Sequence, residues 1–374
     1  MNILLIEPFY TGSHKNFCDQ LKKYSKHNIK ILSMKGQFWK WRMHGASIYL
    51  ANEFNTMNFC PDLILASDMI DLSTFVSLCK DKIVNNKIKT ALYFHENQLT
   101  YPWSKNDKDI KLKRDVHYGF INYSSCMVAD FIYYNSNYNM TSYLDALKHM
   151  LRSFPDYNML DTINHIKSKS KVLNLGLDLK KFDISKDLED TLRNKDYIPL
   201  VIWNHRWEYD KNFKDFFEAF KIMKKRNIKF KLAILGESYS KVPKEFLEAK
   251  ELFKDELVAF SKATSFEDYR NWLYKSDLAL VTSNQEFFGI SFMESIYCNT
   301  YPLLPNRLTY PDLLDINKNP EIFYSSFNEL LNKLEYILTN ISEIRKHSFK
   351  NYARKYCFSN IITTYDCEFN SLLD

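Results

Sequence analysis

Short apolar runs of strand length, each separated from the next by a helical pattern, recur along the whole chain, and this alternation limits the fold more than any other feature. They occupy residues 3–6, 29–34, 63–66, 90–94, 131–134 and 172–175, and resume after a charged stretch at 200–203, 230–235, 257–260, 278–281 and 301–304. Strands alternating with helices pair through crossover connections, which gives a mainly parallel sheet with helices on both faces. One such core does not hold 374 residues, because cores stop growing near ~250–300 residues and the chain then divides. The charged stretch at 183–196 is the natural break. The expected organisation is an N-terminal Rossmann-like domain over 1–184, a C-terminal one over 197–355, and a last segment, 356–374, that crosses back to the first. Two doubly wound domains of this kind turn their strand C-terminal ends towards a shared crevice, where ligands bind.

Composition serves mainly to exclude. With 45% hydrophobic and 26% charged residues the chain is neither disordered nor fibrous. The opening residues, Met1 to Ile6, are too short an apolar run for a secretion signal. No stretch approaches the ~18 apolar residues of a membrane span, so the expected location is cytoplasmic. The seven cysteines are scattered and lack a Cys-x-x-Cys pair, which reads as reduced packing residues. A formal charge of +6 permits an anionic partner such as nucleic acid without requiring one. No obligate protein partner is evident.

Only seven glycines are present, and Gly12, Gly236 and Gly289 each follow a strand-like run, where an α/β protein brings backbone close to ligand. The last sits in the sharpest motif of the chain, 286–294, with Glu286, Phe288, Gly289, Ile290 and Glu294 leading from a strand into a helix. On one helix the two glutamates would stand about 12 Å apart along the axis, beyond the ~5–9.5 Å of a hydrolase carboxylate pair. That spacing suits the sugar and the ribose at the two ends of a nucleotide diphosphate sugar, since a carboxylate accepts hydrogen bonds from hydroxyls of each. Gly289 would let the backbone approach the diphosphate, and the helix N-terminus would offer it free N–H groups. On spacing alone, a loop glutamate and a solvent-facing helical glutamate are the simpler reading. Arg206 and Lys211 lie in the first strand-to-helix loop of the second half, placed to stabilise a leaving diphosphate. A surface ion pair with Glu208 or Asp210 fits them equally well. Gly236 and Glu237 end the next strand and join the donor-side candidates.

In the first half, Gly12, Ser13 and His14 follow the first strand and open a helix whose backbone is placed for phosphate or acceptor. They match neither the Gly-x-Gly-x-x-Gly fingerprint nor the phosphate loop of NTPases. His95 and Asn97 follow the strand ending at Phe94, and His95 has the chemistry to hold a sugar or move a proton. No His-Glu-x-x-His metal pattern occurs, and no metal is expected. Trp39, Lys40, Trp41 and Arg42 interleave rings and cations as single-stranded nucleic-acid binders do. The two tryptophans fit an interior position equally well.

Taken in order, Tyr93 to Pro102, His205 to Glu208, Leu235 to Glu237, Glu286 to Gly289, Tyr297-Cys298 and Tyr310-Pro311, with the opening Ile6 to Lys15, resemble the tRNA-queuosine α-mannosyltransferases, retaining glycosyltransferases of the GT-B fold. The matches cover most of the chain, and the set is far more specific than any one motif. The resemblance implies GDP-mannose as donor, the cyclopentene ring of queuosine in a tRNA anticodon loop as acceptor, and transfer with retention and no required metal. It places Arg206 and Lys211 on the diphosphate, Glu286 on the mannose, Glu294 on the ribose, and His95 and Gly12 along the sugar and acceptor side. It also implies attack from the leaving-group face, with a phosphate oxygen taking the hydroxyl proton and no protein nucleophile. The sequence departs at Asn299, where the pattern leads one to expect glycine. Two other readings remain: a GT-B transferase using another nucleotide sugar or acting on a lipid or polysaccharide, and a tRNA-binding module without transfer activity.

Overall fold

The computed structural model describes residues 1–103, 109, 116–193, 198–236 and 242–372. They form two compact units, Met1–Asp178 with Tyr356–Asp374, and Leu179–Lys355.

The first unit is built on β1 (Asn2–Tyr10), β2 (Asn28–Lys35), β3 (Leu63–Ser67), β4 (Lys89–Phe94), β5 (Phe131–Tyr134) and β6 (Ser170–Val172), all parallel in the order β2-β1-β3-β4-β5-β6. Parallel strands covered on both faces read as unbroken apolar runs, and Ile3, Leu4, Leu5, Ile6, Leu63, Ile64 and Leu65 are all buried. The order reverses between β1 and β3, the kind of switch point at which doubly wound sheets bind ligand. The helix Phe358–Asn370 belongs to this unit: Phe358 and Tyr365 pack on Phe17, and the Tyr365 hydroxyl meets that of Tyr93 at 3.0 Å.

The second unit is built on β7 (Leu200–Trp203), β8 (Lys231–Leu235), β9 (Leu257–Ser261), β10 (Leu278–Leu280), β11 (Tyr301–Pro305) and β12 (Phe323–Tyr324), again all parallel, in the order β12-β11-β10-β7-β8-β9. Counted from β7 this is the dinucleotide-binding order, with its switch point between β7 and β10. The helix Phe213–Lys225 shows why its flank is secure: Phe213, Phe216, Phe217, Phe220 and Met223 recur at helical spacing and are buried. Ser265 starts the helix Phe266–Lys275 by accepting from the Asp268 N–H at 3.0 Å, while Asp268 reaches back to the Thr264 N–H at 3.0 Å.

The charged stretch at 183–196 contains a helix, Lys186–Arg193, braced by the pairs Lys186–Asp190 and Glu189–Arg193 and lying in the second unit. Asn299 has φ 63, a left-handed conformation that asparagine tolerates better than other side-chain-bearing residues. It therefore fills a position where glycine would be at ease, and its amide is held by Ser348 and Glu189.

Candidate active site

At the switch point of the second sheet, the loop after β7 carries Asn204, His205, Arg206, Asp210 and Lys211, and the loop after β10 carries Glu286 and Gly289. Lys211 is buried, and its ammonium lies 3.1 Å from Glu286 Oε2, 3.1 Å from Asp210 Oδ2 and 3.2 Å from the Gln285 carbonyl. These acceptors match the three protons of an ammonium. Burial opposes its charge, but Glu286 and Asp210 outweigh burial and hold its pKa above the ordinary value. Burial likewise opposes the charge of Glu286, and the Lys211 ammonium overcomes it, keeping the carboxylate below the usual range. Arg206 is more exposed and stands 3.5 Å from Asp210. Both cations thus share Asp210, one of the two surface partners the sequence offered. His205 is buried and neutral, its pKa lowered to about 3 by burial and then by Lys211. Its Nδ1 lies 2.7 Å from Ser291 Oγ at the start of the next helix.

Gly289 is the N-cap of the helix Ile290–Tyr297, at φ 92. A Cβ there would stand 2.4 Å from the Phe292 ring, so both the backbone conformation and the space call for glycine. Ile290 opens the helix and Phe288 is buried behind it. Further along, Glu294 accepts from the Tyr269 hydroxyl at 2.7 Å. Tyr269, Asn204, Gly236, Thr264, Ser265 and Phe266 line a cavity of about 390 Å³, within the range of small-molecule sites. Gly236, at φ 126, sits so near the His205 carbonyl that a Cβ would come within 2.3 Å of it. Glu237 lies outside the described residues.

The first unit has its own cluster at its switch point. Glu7, in the C-terminal half of β1, is fully buried and pairs with His14 at 2.9 Å. His14 and His95 lie ring to ring at 4.4 Å. Asp68, just beyond β3, accepts from the His95 backbone N–H at 2.9 Å through Oδ1, while its buried Oδ2 has no hydrogen-bond partner among the described residues. Burial would lower the His14 pKa, but Glu7 reverses this and raises it to about 9. Burial, then the His14 charge, holds His95 well below the ordinary histidine range. Glu7, His14 and His95 bring potential metal-ligand atoms within 4.8 Å of one another. With Glu7 holding the charge on His14, the two form a buried ion pair beside His95. Gly12 and Ser13 are exposed at the start of the helix Gly12–Tyr24, with open space where a Gly12 side chain would stand.

The aromatic and cationic run divides. Trp39 packs with Trp103 and Tyr118, and Lys40 pairs with Asp109 and lies over the Trp103 ring at 5.1 Å. Trp41, at 63% exposure, faces outward, and Arg42 bonds the Lys35 carbonyl at 3.2 Å. Asn97 is fully buried and caps its own loop, accepting from Thr100 and donating to Asn139. Its amide is thereby committed to the fold and closed to RNA, contrary to the expectation. The sequence reading passed over Glu7, Asp68 and Tyr269. Position was the available signal for two of them, since Glu7 directly follows the apolar run 3–6 and Asp68 lies just beyond the run 63–66.

Two parallel six-stranded α/β sheets, each with a switch point, give this chain the GT-B fold. Sucrose-phosphate synthase from Thermosynechococcus elongatus superposes with a TM-score of 0.69 at 12% identity, covering 100% of this chain and 99% of that one. Anabaena HepE in complex with UDP-glucose superposes with a TM-score of 0.66 at 14% identity, covering 99% and 100%. Residues 185–356 match the group 1 glycosyl transferases, which use nucleotide-sugar donors. Residues 2–177 match the N-terminal region of tRNA-queuosine alpha-mannosyltransferase. The Drosophila melanogaster tRNA-queuosine alpha-mannosyltransferase is 33% identical over 337 residues, 89% of this chain and 86% of that protein. The chain belongs to the tRNA-queuosine alpha-mannosyltransferase family. Among the described residues no helix is long and apolar enough to cross a membrane.

Proposed function

We propose that this enzyme transfers mannose from GDP-mannose to the queuosine base of tRNA, with retention of configuration. The observation that carries the reading is the buried Lys211–Glu286–Asp210 cluster beside Gly289 and the helix N-terminus, in a chain with the family relationship above. Donor would lie at the second unit's switch point, with diphosphate at the Ile290–Tyr297 helix start and Arg206, mannose at Glu286, and nucleoside in the cavity lined by Tyr269, its ribose at Glu294. Because the Lys211 ammonium already has three acceptors, its contact with diphosphate requires it to release one of them. Asp210 is the natural one to lose, since it also neighbours Arg206. Glu286 then orients the sugar, and a phosphate oxygen takes the acceptor proton.

On the acceptor side, the exposed Gly12–Ser13 turn and the His14–His95 cluster would face the cyclopentene diol. Trp41 and Arg42 would meet the anticodon loop, with Trp39 and Lys40 supporting them from behind. Purified protein incubated with GDP-mannose and queuosine-containing tRNA should yield a nucleoside heavier by one hexose in mass spectrometry. Hexose transfer only from UDP-glucose, or only to tRNA lacking queuosine, would overturn the donor or the acceptor assignment respectively.

A further inference from the structure

Tyr269 lies on the helix Phe266–Lys275, forms part of the wall of the 390 Å³ cavity, and reaches the neighbouring helix to meet Glu294. A tyrosine hydroxyl has one proton to give. Asn204 Nδ2 donates to the Tyr269 oxygen at 3.0 Å, so that proton is left for Glu294 Oε2, 2.7 Å away. Asn204 is itself fixed: the same nitrogen lies 2.8 Å from the Ser291 carbonyl and 3.1 Å from Ser295 Oγ, both on the Ile290–Tyr297 helix. The end of β7, one cavity-lining helix and the glutamate-bearing helix therefore meet through the Asn204 amide, whose two protons are shared among three acceptors, and through the Tyr269 hydroxyl. Burial, then the carboxylate alongside, holds the Tyr269 pKa well above the ordinary tyrosine value, so it remains a donor throughout the neutral range.

We propose that Tyr269 is a positioning residue for the donor, orienting the Glu294 carboxylate towards ribose hydroxyls and so setting the preference for a ribonucleotide over a deoxyribonucleotide. The inference rests on the reading of Glu294 as the ribose acceptor. A carboxylate held by a charge-assisted hydrogen bond accepts from a diol without first giving up rotational freedom. Without that bond it can still be reached, but its geometry no longer distinguishes two hydroxyls from one.

The test is calorimetric titration of the full-length chain with GDP, 2′-deoxy-GDP and 3′-deoxy-GDP, in the wild type, Tyr269→Phe and Glu294→Ala. Wild type should favour GDP over at least one deoxy form by about tenfold, the scale of one hydrogen bond to a charged group. Tyr269→Phe keeps the ring against the cavity and should narrow that ratio below about threefold, with kcat for transfer changed less than the donor KM. A merely structural tie between the helices would lower the melting temperature and leave the ratio alone. If Tyr269→Phe retains the wild-type ratio while Glu294→Ala loses it, the role of Tyr269 is wrong and that of Glu294 stands. If Glu294→Ala retains the ratio as well, the ribose assignment falls and the inference falls with it. The same follows if wild type binds GDP without distinguishing the deoxy forms.

Discussion

The two units solve the same problem, how to keep charge under cover at a sheet's switch point, by opposite means. In the second, two carboxylates enclose an ammonium, and the cluster stays ionised because Lys211 and Glu286 each hold the other charged. In the first, one carboxylate charges one histidine, and burial, reinforced by that charge, keeps its neighbour His95 neutral. The Lys–Glu pair keeps its charges through the neutral range, whereas His14 loses its charge as pH rises through about 9. The second arrangement suits a permanently anionic diphosphate.

The largest expected effect comes from breaking the ammonium cluster. Lys211→Ala leaves Glu286 and Asp210 facing each other under cover, and loss of one partner of a buried pair costs about 3–5 kcal/mol. Urea unfolding should show that loss. Glu286→Ala, whose side chain is 19% exposed, should cost less stability but reduce transfer at least about a hundredfold. Gly289→Ala comes next, at about 1–3 kcal/mol for the forced left-handed backbone, with weaker GDP-mannose binding as its functional counterpart. A Gly289→Ala protein as stable as wild type and with unchanged donor affinity would remove the helix N-terminus from the site.

The pH dependence separates the units more finely. His14 has a folded pKa of about 9 against an ordinary 6.5, so its contribution is fully present below about pH 6.5 and is lost as pH rises through 9. Converted at 1.36 kcal/mol per unit, the contribution is at most about 3 kcal/mol. His205 runs the other way: with a folded pKa of about 3, it contributes stability above about pH 6.5 that is lost as pH falls towards 3. His95 adds to that acid limb. Melting curves from pH 5 to 9.5 should therefore fall on both sides, and His14→Gln should flatten the alkaline side and, by removing the charge beside His95, ease the acid side as well. The smallest effect concerns RNA. Trp41→Ala should leave stability within about 0.5 kcal/mol and weaken tRNA binding by about 1–3 kcal/mol, the worth of one stacked base. Trp39→Ala should destabilise the fold instead.

Much of this architecture was legible because parallel strands buried on both faces leave an unbroken apolar signature, as at residues 3–6 and 63–66. The edges were harder. Strand β12 is only Phe323 and Tyr324, too short to show a period. Strand β6 occupies Ser170–Val172 rather than 172–175, because its ladder to β5 is made by polar residues at a sheet edge, while the more apolar Leu173 and Leu175 are buried beyond it. Among the candidate residues, those in loops that follow a strand stand out by position, as Arg206, Lys211 and Gly289 do. Tyr269 does not, since it lies within an ordinary amphipathic helix and gains meaning only from Glu294, 25 residues later. The two faces of the 39–42 run were indistinguishable in sequence, because the partners that draw Trp39 inward, Trp103 and Tyr118, belong to distant segments.

The central claim is that donor binds at the second unit's switch point. Hydrogen–deuterium exchange of the full chain with and without GDP tests it most directly, since it reports where the nucleotide sits. Protection should appear at residues 204–212 and 289–294, with residues 11–15 and 95–97 unchanged. Protection confined to the first unit's loops, with the Ile290–Tyr297 helix unaffected, would contradict it.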